Sequence, residues 1–226
     1  MSLVASVLHL DPRAITALKV TDPYSIHRVV YSLYENVRGS DAKNKHDSAG
    51  ILFADQGGDL RGRKILMLAN REPATQVSGK YGKVQSKLIP ETFLDHSHFR
   101  FSILINPVKR DIHSKQLVPI VGRSEIKDWF ASRTENSWGF EVEPQYLQIQ
   151  KTDVLNFSGK SGHRVTINQA HITGCLTVTD KPRFTNSFKT GLGRAKTFGC
   201  GLLQIIPLLN GHTLTQKGNH HDHAIQ

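Results

Sequence analysis

The stretch TDPYSIHRVVYSLYENVR, residues 21–38, sets a tyrosine and a histidine three residues apart in a helix-forming context. Positions so spaced are neighbours on a helix surface, so Tyr24 and His27 share one face. An imidazole takes up or releases a proton near neutral pH. A tyrosine or a lysine can hold a phosphate or steady the charge that develops on it. RNA brings its own nucleophile, because its 2′-hydroxyl can attack the adjacent phosphate with no metal. The chain has no paired-carboxylate motif of two-metal type. Asp55 and Asp59 fall in a turn and read as solvated. The competing reading of His27 is a solvated or hydrogen-bonded side chain with no chemical role.

Three further segments carry cations. FRFSILINPVKRDIHSK ends a strand and then gathers Lys109, Arg110, His113 and Lys115. SGKSGHR puts Lys160, His163 and Arg164 on a hairpin tip, where a basic loop can clamp a nucleic-acid backbone. TGLGRAKTFGCGLL surrounds Arg194 and Lys196 with Gly191, Gly193, Gly199 and Gly201. Glycines let a backbone approach a ligand, and exposed N–H groups beside two cations can cradle phosphate. The pattern is neither a Walker loop nor a dinucleotide fingerprint.

The elements that must hold these residues follow from patterning. SLVASVLHL reads as a first strand. Asp22 is a helix cap and Pro23 suits the first helical position, with the helix running to about Val37. At about 100° per residue, Ile26, Val30, Leu33 and Val37 form its core stripe, and Tyr24, His27, Tyr31, Tyr34 and Arg38 a second one. Its free N–H groups favour an anion and would lower the pKa of His27. GILFAD and KILMLAN read as a hairpin, 71–95 as a weak helix, and residues 99–107 as a strand that closes the first half. In the second half, KQLVPIVG reads as a strand, SEIKDWFASR as a helix capped by Ser124, residues 140–157 and 165–179 as extended, PRFTNSFKTG as a helix and LLQIIPL as a last strand. The order β-α-β-β-α-β, met twice, predicts an α+β fold of two tandem ferredoxin-like domains. The expected limits are 1–110 and 111–208, followed by a disordered His-rich tail, 209–226.

Bulk properties agree with a nucleic-acid partner. The chain has 226 residues, with 29 Lys and Arg against 19 Asp and Glu, a formal net charge of +10. Such an excess suits a polyanion. The two cysteines, Cys175 and Cys200, make no disulfide framework and read as reduced and buried. No apolar run approaches the roughly 18 residues of a membrane span, and the N-terminus lacks a secretory pattern. The expectation is a cytoplasmic protein without membrane contact, metal or cofactor.

Four motifs resemble one known family, the CRISPR repeat-processing endoribonuclease of the type I-E surveillance (Cascade) complex. They are DPYSIHR at 22–28, FRFSILINPVKR at 99–110, FSGKSG at 157–162 and GLGRAKTFGCGLLQIIPL at 191–208, in matching order. The resemblance implies two tandem ferredoxin-like domains and binding of the repeat stem-loop in precursor RNA. It implies metal-independent cleavage at the 3′ base of the stem, leaving a 2′,3′-cyclic phosphate, a 5′-hydroxyl and a mature guide RNA. It also implies a protein that is monomeric when free and then joins the other subunits of the complex. It places the family's helix tyrosine and histidine on Tyr24 and His27 and its hairpin lysine on Lys160. Arg28, Lys109, Arg110, His163, Arg164, Arg194 and Lys196 become candidate RNA contacts. Where the family carries more arginine before the NP turn, this chain has Ser102 and Leu104. The alternative is a catalytically idle RNA-binding subunit of such a complex.

Overall fold

A computed structural model describes residues 3–35, 50–159 and 162–208. The expected His-rich tail lies outside these residues.

Strand β1 (Leu3–Leu10) alternates sides, as a half-buried strand must. Val4, Leu8 and Leu10 are buried with Ser6, whereas Leu3, Ala5, Val7 and His9 turn the other way and are less covered. Helix α1 (Pro12–Ala17) follows at once, its Ala14 N–H donating to the Asp11 carboxylate at 2.7 Å. This short helix lies outside the elements expected from the sequence. Helix α2 (Pro23–Tyr31) starts as expected. Ser25 N–H donates to Asp22 Oδ1 at 2.7 Å, and Asp22 N–H donates back to Ser25 Oγ at 2.9 Å, a reciprocal cap.

The helix stops well short of Val37. The Leu33 carbonyl, which another turn would have used, accepts from Ala74 N–H at 2.7 Å, and Ser32 Oγ donates to the Val29 carbonyl at 2.8 Å. Tyr34 then turns into the core instead of lying on the His27 stripe, and the Arg71 guanidinium sits 5.4 Å from its ring centroid. Val37 and Arg38 lie outside the described residues.

Strands β2 (Ile51–Asp59), β3 (Gly62–Ala69) and β4 (Lys83–Ile89) join β1 in an antiparallel sheet of order β2-β3-β1-β4. Strand β4 had escaped notice because it is an edge strand with lysines on it, a composition that discourages further pairing. The weak helix expected over 71–95 is absent. An irregular loop, strand β4 and a single 3-10 turn at Glu91–Leu94 fill that place.

The second sheet has the order β11-β5-β10-β8, from β5 (His98–Ile105), β8 (Phe140–Val142), β10 (Arg164–Val178) and β11 (Gln204–Pro207), with β9 (Gln148–Ser158) alongside β10. Helix α3 (Arg123–Arg133) connects β5 to β8, and α4 (Lys181–Thr190) connects β10 to β11. This completes a β-α-β-β-α-β unit, so the tandem ferredoxin-like architecture holds. One assignment changes. Strand β5 had been expected to close the first unit, but it pairs with β10 and β11, and Phe99, Phe101, Ile103 and Ile105 pack beneath Phe130 and Phe184 of the second unit's helices. The change of sheet therefore falls within 90–97 rather than near residue 110. Residues 117–119, expected as the second unit's first strand, are β7 of a separate two-stranded ribbon with β6 (Val108–Arg110). Helix α3 begins after Gly122, with no side-chain cap from Ser124.

Two cores result. One lies between α1, α2 and the first sheet. The larger belongs to the second unit and takes in Leu52, Ala54 and Leu68 from the first sheet. The loop after α4 is pressed into this junction. Gly191 has φ +78, and a Cβ there would stand 2.6 Å from the Leu52 side chain. An alanine has to fight both the backbone and its neighbour. Gly191→Ala should cost about 2 kcal/mol or more, read as a lower urea midpoint with an unchanged slope.

Candidate functional site

The site forms where α2 of the first unit meets β9 and the glycine-rich loop of the second. His27 is partly buried, in a cage of rings. Its ring centroid is 4.1 Å from that of Tyr31, 6.0 Å from Tyr24 and 6.1 Å from Phe198. Phe198 packs edge-on against Phe157 at 4.9 Å. Phe157, Ile167 and Cys200 close the base of the pocket, with Tyr24 and Ala195 at its margin. The ring is thus enclosed by aromatic groups beside a cationic loop. Tyr31, Phe157 and Phe198 were not among the expected site residues. Phe198 was visible as an aromatic between two cations and two glycines.

Burial holds the His27 pKa below 6.5, because the imidazolium loses hydration, and the Thr197 backbone offsets part of this. The cause expected from sequence was the helix start; enclosure by the rings also favours the neutral imidazole and is the larger cause here. Nδ1 is enclosed and has no hydrogen-bond partner among the described residues.

The cations divide into groups. The Arg28 guanidinium sits 5.8 Å from the Tyr24 ring centroid, exposed beside His27. Arg194 is exposed and its backbone bridges to Asn106, which ties the glycine-rich loop to the end of β5. Lys196 is less free than expected. Its Nζ donates to the Thr190 carbonyl at 2.8 Å, and burial lowers its pKa. Lys109 and Arg110 are exposed on β6, beyond Asn106, and Arg110 donates to the Lys115 carbonyl. His163 and Arg164 are exposed where the β9–β10 hairpin turns back, and that turn follows directly on Phe157 of the pocket base. Lys160 lies outside the described residues.

The glycines serve the protein more than a ligand. The N–H groups of Gly191, Gly199 and Gly201 donate to the carbonyls of Ser187, Lys196 and Leu104. Gly199 faces Phe53 as Gly191 faces Leu52. Of the four, Gly193 alone is exposed, next to Arg194. A phosphate cradle built from all four is therefore not what the loop makes. Both cysteines are free thiols; Cys200 is buried and Cys175 only partly so. Among the described residues, no three His, Cys, Asp or Glu side chains are grouped as metal ligands, and no helix is long and apolar enough to cross a membrane.

If enclosure sets the His27 pKa, opening the cage should undo it. Phe198→Ala is expected to move the imidazole titration upwards towards 6.5, followed by NMR of the ring protons. An unmoved or lower value would reject burial as the cause.

A family model described as CRISPR associated protein matches residues 5–207. The CRISPR system Cascade subunit CasE of Escherichia coli (strain K12) is 30% identical over 119 residues. That alignment covers 48% of this chain and 57% of the relative, so it spans little more than half the relative's length. The structure of CRISPR endoribonuclease Cse3 bound to a 19 nt RNA superimposes with a TM-score of 0.74 at 23% identity, covering 92% of this chain and 100% of that one. Thermus thermophilus Cse3 bound to an RNA representing a pre-cleavage complex gives 0.74 at 22% identity with the same coverage. At these identities the likeness establishes the fold.

Proposed function

The chain belongs to the CRISPR associated protein family, and on that footing we propose that it is an endoribonuclease that binds the stem-loop of a CRISPR repeat transcript and cuts at the 3′ base of the stem. The observation that carries the reading is His27, a partly enclosed imidazole with a lowered pKa, beside Tyr24 and Arg28 and against the cationic loop of the second unit. Two solved structures of this fold carry RNA, and the name of one of them states endoribonuclease.

In the proposed reaction the 2′-oxygen bonds to the adjacent phosphorus while the bond to the 5′-oxygen breaks. His27, neutral at pH 7, accepts the 2′-hydroxyl proton, and the departing 5′-oxygen takes a proton from solvent. Tyr24 orients the 2′-hydroxyl. Arg28 and Lys160 offset the extra negative charge on the phosphorus oxygens. The products are a 2′,3′-cyclic phosphate and a 5′-hydroxyl, with no metal taking part. The stem is held mainly through its backbone by Arg164, Arg194 and the β6 cations, since the major groove of an RNA duplex is too deep and narrow to read. The monomer keeps its product and enters a larger surveillance complex, as the name of the CasE relative suggests.

Cleavage of a repeat hairpin should persist in EDTA and stop when the nucleotide 5′ of the cut is 2′-deoxy. His27→Ala should lose cutting by about 10²-fold or more with hairpin binding retained, and normal cutting would remove His27 from the site. Lys160→Ala should slow cleavage in part; an unchanged single-turnover rate would remove it too. As a base, His27 must be neutral to act, so kcat/KM should rise with pH through a value below 6.5 and level off by pH 7. Activity that instead falls across that range would give His27 the role of acid.

A further inference from the structure

At the far end of the first sheet, three cationic or titratable side chains form a row across three strands. His9 on β1 pairs with Lys64 on β3 and with Lys83 on β4. Directly paired residues project to one face. Leu8 and Leu10 go under the helices, so His9, Lys64 and Lys83 stand on the opposite face. Two strand spacings make the row about 10 Å wide. It borders a cleft of about 680 Å³ between the β2–β3 hairpin and the loop before β4.

Among the described residues the cleft is lined by five Lys and Arg side chains against two carboxylates, Asp11 and Asp59. Both carboxylates are engaged by backbone: Asp11 accepts from Ala14 N–H and Asp59 from Arg61 N–H, each at 2.7 Å. Arg63 is paired with Asp55 at 3.3 Å. Arg61, Lys64 and Lys83 form no ion pair among the described residues. Among the described residues no Phe, Tyr or Trp lines the cleft, and Leu10, the one apolar residue of that lining, is buried. A protein partner would need an apolar anchor there, and a stacked base would need a ring. What remains is a set of unpaired cations spread over a concave surface, which suits a run of phosphates rather than one anion.

The cleft is separate from the His27 site. Phe53 lies against Gly199 of the site loop, whereas Gly58 lines the cleft, roughly 15 Å further along β2.

We infer that this cleft is a second RNA site, which holds the sugar-phosphate backbone of the single strand flanking the repeat hairpin, without reading its sequence. The inference rests on the proposed function and extends it from the stem-loop to its flank. It makes the precursor a two-point ligand, gripped at the stem and again on its flank.

The test measures binding by the full chain of a repeat hairpin made uncleavable by a 2′-deoxy substitution at the cut. The hairpin is used alone, and with a single-stranded extension of about ten nucleotides on its 5′ or its 3′ side. With the natural chain, one extension should raise affinity several-fold. The double variant Lys64→Glu/Lys83→Glu should lose that gain and keep its affinity for the hairpin alone, which also reports an intact fold. The salt slope for the extended RNA should shrink by about 1.4, at about 0.7 per lost phosphate contact on a single strand. Lys64→Gln/Lys83→Gln should lose part of the gain. An extension that adds nothing, or adds as much in the variant, overturns the inference and leaves the proposed function standing. Loss of hairpin affinity in the variant overturns it as well, since the two sites would then be one. A natural chain that fails to bind the hairpin at all brings down the proposed function, and this inference with it.

Discussion

The candidate site depends on one packing event, the seating of the 191–201 loop on β2. Gly191 and Gly199 have positive φ and lie against Leu52 and Phe53. The loop is pinned at its ends, Leu192 N–H donating to the Gly201 carbonyl at 2.9 Å and Gly201 N–H to the Leu104 carbonyl at 2.7 Å. A closed loop of this kind can hold a side chain at a set depth, and it presents Phe198 to His27. The first unit brings the imidazole and the second brings the ring that desolvates it. Neither unit holds the site alone, and the protonation state of His27 is a property of how the two are packed.

The same seating orders the charges. Lys196 is tied to the Thr190 carbonyl at the end of α4, so its ammonium is positioned before any ligand arrives. A preplaced cation spends no conformational freedom on binding, which is how a site favours developing charge over charge already present. Burial makes Lys196 less ready to be charged and His27 less ready to be protonated. A nearby phosphate would push both the other way, because an anion favours the charged form of each.

The local signals at the start of α2 were dependable and the long-range ones were not. Asp22 and Pro23 fixed the start of α2, and the three-residue spacing of Tyr24 and His27 did place their rings together. The end of α2 was hidden, because it is set by Ala74, far along the chain, taking the Leu33 carbonyl. Strand β5 was visible as a strand, but its partners were not, since nothing in residues 98–105 says which sheet will accept them. The glycines of 191–201 were read as facing a ligand, and three of them face the protein instead. The need for a close approach is written in the residue type, and what approaches is not. Tyr34 shows the same limit: helix periodicity put it on the His27 stripe, and the early helix end turned it into the core.

The carboxylates explain how so basic a chain leaves its cations available. Asp11, Asp22, Asp59, Asp111 and Asp180 each accept a backbone N–H, from Ala14, Ser25, Arg61, Ser114 and Arg183. Among the described residues only four ion pairs form, and one of them, Arg183 with Asp180, is a by-product of a helix cap. Acid side chains are thus engaged in local backbone order, where a cap is worth about 1 kcal/mol, rather than in exposed pairs worth less. The lysines and arginines they do not neutralise repel one another, and that repulsion weighs against the folded chain. A polyanion relieves it. The free energy that surface pairing would have absorbed is kept for the ligand, and counterion release on binding then makes affinity depend steeply on salt.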